Sequence, residues 1–282
     1  LEGAVTAAAT AREAGAAACE LLDRTFLDVV AAGPLPVTID PDTEAVLLVE
    51  IEGDDASGTR AAARAIATAF ESAGASAVRE ADTPAAQKAL WSLRHAASPI
   101  LARLDPGLKS MQLIEDGAVP PERLPEYVRG VRAALARQGI RGVIFGHAGD
   151  AHVHVNPLVD VRLPDWRLRI ERLLDEVTAL VARLGGTVSG EHGDGRLRVA
   201  LLERVWGDEQ LARFAAVKDA FDPAAILNRG AKLPGPGARR EGLGDVKYDP
   251  SLAPLPDEAR RVLDHVERER AYADFRLALL DR

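Results

Sequence analysis

Two apolar stretches, residues 143–145 and 153–159, constrain the fold more than any other feature of this chain. Only a short polar segment separates them, and parallel neighbours would need a crossover of about a dozen residues or more. They therefore read as antiparallel strands. Apolar side chains alternate through 153–159, and Pro157 marks an edge strand or a bulge. Elsewhere helix-like and strand-like segments follow one another without a regular βαβ rhythm. The pattern predicts an α+β fold, a layered antiparallel or mixed sheet covered by helices, rather than a doubly wound parallel sheet. Gly193, Gly195 and their neighbours do not give G-x-G-x-x-G after a buried strand, so no dinucleotide-binding fold is indicated.

Periodicity places further helices at 4–14, 59–72, 85–104 and 122–137, and strands at 18–22, 77–79 and 111–119. The run AVLLVEI at 45–51 is apolar nearly throughout and reads as a central strand buried on both faces. Ile170, Leu173, Leu174, Val177, Leu180, Val181 and Leu184 recur at helical spacing and form one face of a long helix, ended by Gly185 and Gly186. Two shorter helices follow at 196–205 and 209–220. Residues 1–232 thus read as one domain, 233–254 as a Gly- and Pro-rich linker or arm, and 255–282 as a terminal helix. Residue 1 is Leu and Met111 is the only methionine, so the chain is expected to be a piece of a longer protein or a processed one.

Acidic side chains outnumber basic ones by 43 to 35, a formal net charge of −8. No nucleic-acid partner is expected, because affinity for that polyanion rests largely on neutralising phosphates. No apolar run approaches the roughly 20 residues of a membrane-spanning helix, so an integral membrane protein is not expected either. Cys19 stands alone, which rules out an intrachain disulfide and fits a reducing, cytoplasmic setting, free or peripheral to a membrane.

The chemistry concentrates in two Gly- and Asp-containing segments. GHAGDAHVHVN at 146–156 carries His147, His152 and His154, and GEHGDG at 190–195 carries Glu191 and His192. Neutral imidazole is the commonest metal ligand, and a carboxylate completes mixed sites. In a strand His152, His154 and Asn156 share one face, and a Gly-containing turn can fold His147 back towards them. Glu191 arrives from a separate loop as a carboxylate ligand or proton acceptor. His95 and His265 lie on helices without such company and read as structural. Glu115 and Asp116 read as a strand end, Trp91 as core packing, and Arg196 and Arg198 as the solvated face of a helix. Two other readings of the loops stand beside a single-metal site: a hydrolase whose paired ions activate water, and a binding module without chemistry.

The first segment resembles H-x-G-D-G-N-x-H-x-N of the FAD-linked oxidase C-terminal domain. That domain belongs to flavoproteins of the vanillyl-alcohol oxidase type, which include D-lactate, glycolate and D-2-hydroxyglutarate dehydrogenases. GEHG at 190–193 is similar to the family's G-E-H-G loop, and FDPAAILN at 221–228 to its F-D-P-x-x-x-L-N-P-G-K signature near the flavin. WSLR at 91–94 and EDGAVP at 115–120 match W-x-x-R and E-D-x-x-V-P, and the motifs run in family order from Trp91 to Lys232. The resemblance implies a ferredoxin-like FAD-linked oxidase C-terminal domain that holds substrate and metal, its FAD-binding domain absent from this chain. It implies His147, His154 and Glu191 as ligands of a divalent metal, usually zinc, and His192 as the catalytic general base. Arg94 would pair with the substrate carboxylate through planar bidentate donors. Asn156 and Lys109 would contact substrate, and Asn228 would approach the FAD. The implied reaction oxidises a small D-2-hydroxy acid to the 2-oxo acid. The hydride passes to flavin N5, and the electrons go on to an acceptor protein or quinone. Without the FAD-binding domain the chain alone should be inactive. The sequence departs from the pattern at Ala151 and His152, which replace Gly-Asn, at Arg229, which replaces Pro, and at Ala231, inserted before Lys232.

Overall fold

The computed structural model describes residues 1–31, 37–96 and 107–228, with 230, 231, 233, 258, 261 and 262 beyond them. The chain divides into two compact units, Leu1–Val246 and Lys247–Arg282, and of the second only three positions are described, all helical. The expected linker at 233–254 and terminal helix at 255–282 fall almost wholly outside the described residues. So do the end of the helix expected to reach residue 104, Arg229, Lys232, His265 and the Arg196 side chain.

Among the described residues six strands pair, all antiparallel: β1 (Ala18–Asp23), β2 (Ala45–Glu50), β3 (Leu108–Ser110), β4 (Gly117–Ala118), β5 (Arg141–His147) and β6 (His152–Asp160). The order is β2-β1-β5-β6-β3, and β4 also pairs with β6. The hairpin expected from sequence lies at the heart of this sheet, with β5 and β6 in register from Arg141↔Leu158 to Phe145↔His154. The described helices are α1 (Glu2–Glu13), α2 (Arg24–Val30), α3 (Ala56–Ser72), α4 (Pro84–His95), α5 (Leu124–Arg137), α6 (Trp166–Arg183), α7 (Gly195–Val199) and α8 (Leu202–Phe221), the last kinked at Gly207.

Alternation along the strands gives the sheet two apolar faces. Leu21, Ile144, Val153, Val155 and Val159 pack on one side with Val5 of α1, Val131 of α5, and Ile170 and Val177 of α6. Leu22, Val143 and Leu158 point the other way, onto Phe26 and Val30 of α2 and Leu93 of α4. Every α6 residue singled out by helical spacing is buried. Burial of one such side chain is worth about 1.5–3 kcal/mol, more than the ~1 kcal/mol of a typical N-cap. That is why α6 forms although Asp165 makes no side-chain capping bond.

Several expectations are corrected. The 45–51 run is not central: β2 is the sheet edge, and within it only Leu48 is fully buried. Residues 77–79 form no strand, since Val78 is their one half-buried side chain and they bury too little to hold a ladder. The stretch 111–119 is not one strand, because the chain leaves the sheet between β3 and β4 to carry Glu115 and Asp116 into a polar cluster. Pro157 marks neither an edge nor a bulge. It lies in β6, an interior strand, opposite Gly142. Its carbonyl accepts from the Met111 amide at 3.0 Å, and its missing N–H faces the same way, where the β3 ladder has ended at Ser110. Among the described residues, no helix is long and apolar enough to cross a membrane.

Candidate metal and substrate site

The second face of the sheet carries the polar cluster. Glu20↔His147 and Phe145↔His154 are register pairs, so Glu20 of β1, His147 of β5 and His152, His154 and Asn156 of β6 share that face. Thr187 bridges Ala118 of β4, which brings the 187–194 loop over the strands. Glu191 Oε1 then lies 3.4 Å from His147 Nε2, 3.3 Å from His154 Nε2 and 3.4 Å from His192 Nε2. The opposite ring nitrogens are occupied: His147 Nδ1 donates to Glu20 Oε1, and His154 Nδ1 donates to the Glu115 carbonyl at 2.9 Å. A hydrogen held at Nδ1 leaves each Nε2 as a lone pair facing Glu191. Two imidazole nitrogens and one carboxylate oxygen fit zinc or a similar divalent ion.

Charge is arranged around this trio. The hydrogen bond to Glu20 lifts the His147 pKa above its ordinary value, against burial. Burial is the main influence on His154 and pushes it down, towards the neutral form a ligand needs. Burial would raise the Glu20 carboxyl, but hydrogen bonds from His147 and Arg94 outweigh it and hold the group below the usual range. Asp116, wholly buried, behaves likewise. It accepts from the His192 amide at 2.8 Å, the Ser189 hydroxyl at 2.9 Å, His152 Nε2 at 2.8 Å and the Glu191 amide at 3.2 Å, and these bonds outweigh its desolvation.

Arg94 reaches the cluster through Glu20, its Nε donating to Oε2 at 2.7 Å while the guanidinium sits 4.7 Å over the Phe145 ring. Asn156 is buried, and its Oδ1 has no hydrogen-bond partner among the described residues. Two expected residues are not brought in. Lys109 opposes Val159, which faces away from His154 and Asn156. Asn228 lies in an exposed turn after α8, with φ of 42°, where Asp222 accepts from the amides of Ile226 and Leu227. Sequence reasoning missed Glu20, whose signal was an acid set between the apolar residues Cys19 and Leu21 of the strand ACELLD. It also placed Asp116 at a strand end and Arg198 in solvent. Arg198 is buried and pairs with both Glu115 and Asp116.

A family model described as FAD linked oxidases, C-terminal domain, matches residues 1–231. Glycolate oxidase subunit GlcD of Escherichia coli K12 is 32% identical over 193 residues, 68% of this chain and 38% of that protein. D-2-hydroxyglutarate dehydrogenase of Pseudomonas putida is 31% identical over 84% of this chain and 23% of its own length. D-lactate dehydrogenase of Archaeoglobus fulgidus is 36% identical over 41% of this chain and 25% of its own. The chain therefore spans less than half the length of these curated relatives. Among solved structures, 4-ethylphenol oxidase of Gulosibacter chungangensis, in complex with isoeugenol, matches with a TM-score of 0.51 at 16% identity, covering 77% of this chain and 47% of that one. That likeness concerns the fold.

Proposed function

The chain belongs to the family of FAD-linked oxidase C-terminal domains, and from that premise we propose that it is the substrate- and metal-binding part of a flavin-dependent dehydrogenase oxidising a D-2-hydroxy acid to its 2-oxo acid. The observation that carries this reading is the convergence of His147 Nε2 and His154 Nε2 on Glu191 Oε1, beside the unpartnered Asn156 Oδ1. Relatives named for glycolate, D-lactate and D-2-hydroxyglutarate support the substrate class.

His147, His154 and Glu191 would hold the ion. When bound, the metal would lower the pKa of the substrate hydroxyl and FAD would accept the hydride at N5. His192 takes the hydroxyl proton at Nε2. Its Nδ1 faces Glu115 and Asp116 at 3.6 and 3.8 Å, so two carboxylates stabilise the imidazolium that results. Arg94, oriented by Glu20, fixes the substrate carboxylate. Asn156 is the substrate-contacting amide, buried beside the cluster with an Oδ1 that has no hydrogen-bond partner among the described residues. The flavin-side contact is Asn228, on a turn whose neighbours Phe221, Ile226 and Leu227 are exposed apolar side chains that fit one wall of a cofactor site.

Metal analysis of the purified chain tests the reading. About one divalent ion per chain is expected, lost in Glu191→Ala, and the metal-loaded chain should bind D-lactate, glycolate or D-2-hydroxyglutarate where the metal-free chain does not. Two ions per chain would instead favour a hydrolase that activates water between paired metals. No ion after addition of zinc would overturn the assignment.

A further inference from the structure

His152 is the imidazole that the family pattern does not call for, and it stands among the metal-ligating types. Donor atoms of Asp116, His152, His154 and Glu191 all lie within 4.8 Å of one another, as they would around one cation. Hydrogen bonding separates them into two groups. His154 turns Nε2 towards Glu191 because its Nδ1 is occupied. His152 does the reverse, and its Nε2 lies 2.8 Å from Asp116 Oδ1, a distance that requires the hydrogen to be there. A nitrogen carrying that hydrogen has no lone pair for a metal, so Nε2, the ring atom beside Asp116, is excluded as a ligand and the ring's lone pair lies at Nδ1.

Asp116 is equally committed. Its two oxygens accept from His152, the Ser189 hydroxyl and the amides of Glu191 and His192, with Arg198 Nη1 at 3.5 Å. A carboxylate has about four lone-pair positions, and these donors fill them. The Gly190 amide donates to the Asp116 carbonyl at 2.8 Å. The loop passes so close that a Cβ at Gly190 would stand 2.7 Å from His152 Nε2. His152 thus forms the floor beneath Gly190 and supplies the donor that fixes Asp116.

We propose that His152 and Asp116 form a clamp that positions Glu191 and His192, and that neither ligates the ion. The proposal rests on the roles of Glu191 and His192 given above. Both are positioning residues. His152 steadies the carboxylate, the carboxylate holds two successive loop amides, and those amides set where the Glu191 oxygen and the His192 ring lie.

The test compares the full 282-residue chain with His152→Ala and His152→Gln. Glutamine keeps an N–H donor near the Nε2 position but is a far poorer metal ligand than imidazole. In the metal-free state, amide hydrogen exchange at 191 and 192 should quicken about tenfold or more in His152→Ala and return close to the parent rate in His152→Gln. In a Co²⁺ titration followed by visible absorption, affinity should fall about 10–100-fold in the alanine variant. It should recover in the glutamine variant, with the spectrum at saturation unchanged in both. Unaltered exchange in His152→Ala overturns the clamp. A glutamine variant that binds cobalt as weakly as alanine, with a changed spectrum, makes His152 a ligand and overturns it too. If the parent chain binds no cobalt, the metal reading fails and the exchange rates alone decide the clamp. Should His152→Ala not fold, Asp116→Asn replaces it, with the same acceleration expected at both amides.

Discussion

Glu20 divides its two oxygens between the His147 ring and the Arg94 guanidinium, so a single buried carboxylate orients an expected ligand and an expected substrate anchor. Glu20→Gln preserves the volume but presents an amide NH₂, a donor, to one of two groups that are themselves donors. Metal affinity should drop about 10–100-fold, as for other partners of ligating imidazoles, and a competition titration with a chromophoric chelator would register it. An unchanged affinity would leave Glu20 with a packing role only. A second residue lies beneath the site. The Tyr127 hydroxyl is buried with no partner among the described residues, and burial, with nearby Asp116, pushes its pKa up. Leaving such a group unsatisfied costs about 1–3 kcal/mol, so Tyr127→Phe should stabilise the chain by about 1 kcal/mol in urea unfolding. A loss of stability would mean that the hydroxyl is held by a buried water.

At the scale of the elements, Asp23 ends β1 and caps α2 by accepting the Phe26 amide at 2.8 Å. Burial is the dominant influence on it and lifts its pKa to about 6, against backbone hydrogen bonds that pull the other way. The native state therefore keeps a proton that the unfolded chain gives up near pH 4. The resulting stability, on the order of 3 kcal/mol, is fully present below pH ~4 and is lost as pH rises through about 6. Asn also caps helices well, so Asp23→Asn should flatten the slope of unfolding free energy between pH 4 and 6 without removing α2. A slope that persists would assign it to another group. The α6 stripe and the β5–β6 hairpin were legible in the sequence because each depends on periodicity and short separation. The position of β2 was not, since an apolar run does not record how many neighbours the strand has. Nor was the place of Pro157, which is tolerated only because β3 stops at Ser110. Glu20 meets His147 across 127 residues, and no local pattern encodes that encounter. The candidate ligands could be picked out of the two His-containing segments, but the carboxylates of Glu20 and Asp116 that contact His147 and His152 could not.

At the scale of the whole molecule, the site draws its groups from several distant segments: β1, α4, the β5–β6 hairpin and the 187–194 loop. None of these keeps its place once the sheet is lost, so an ion held by His147, His154 and Glu191 would bind the native state and scarcely the unfolded one. Binding should then appear as global stability. At a hundredfold excess of zinc over its Kd the gain is about 2.7 kcal/mol. For a domain of this size each kcal/mol moves Tm by roughly 2–4 °C, a rise of about 5–10 °C. A chelator such as EDTA should reverse it, and Glu191→Ala, with its side chain half-exposed at the cluster's rim, should abolish the rise while leaving the metal-free Tm almost unchanged. The same shift surviving in Glu191→Ala would place the ion elsewhere. A fall in the metal-free Tm would show that the carboxylate is needed to hold the loop, and that the three histidine nitrogens around its Oε1 are brought together by Glu191 rather than by the sheet.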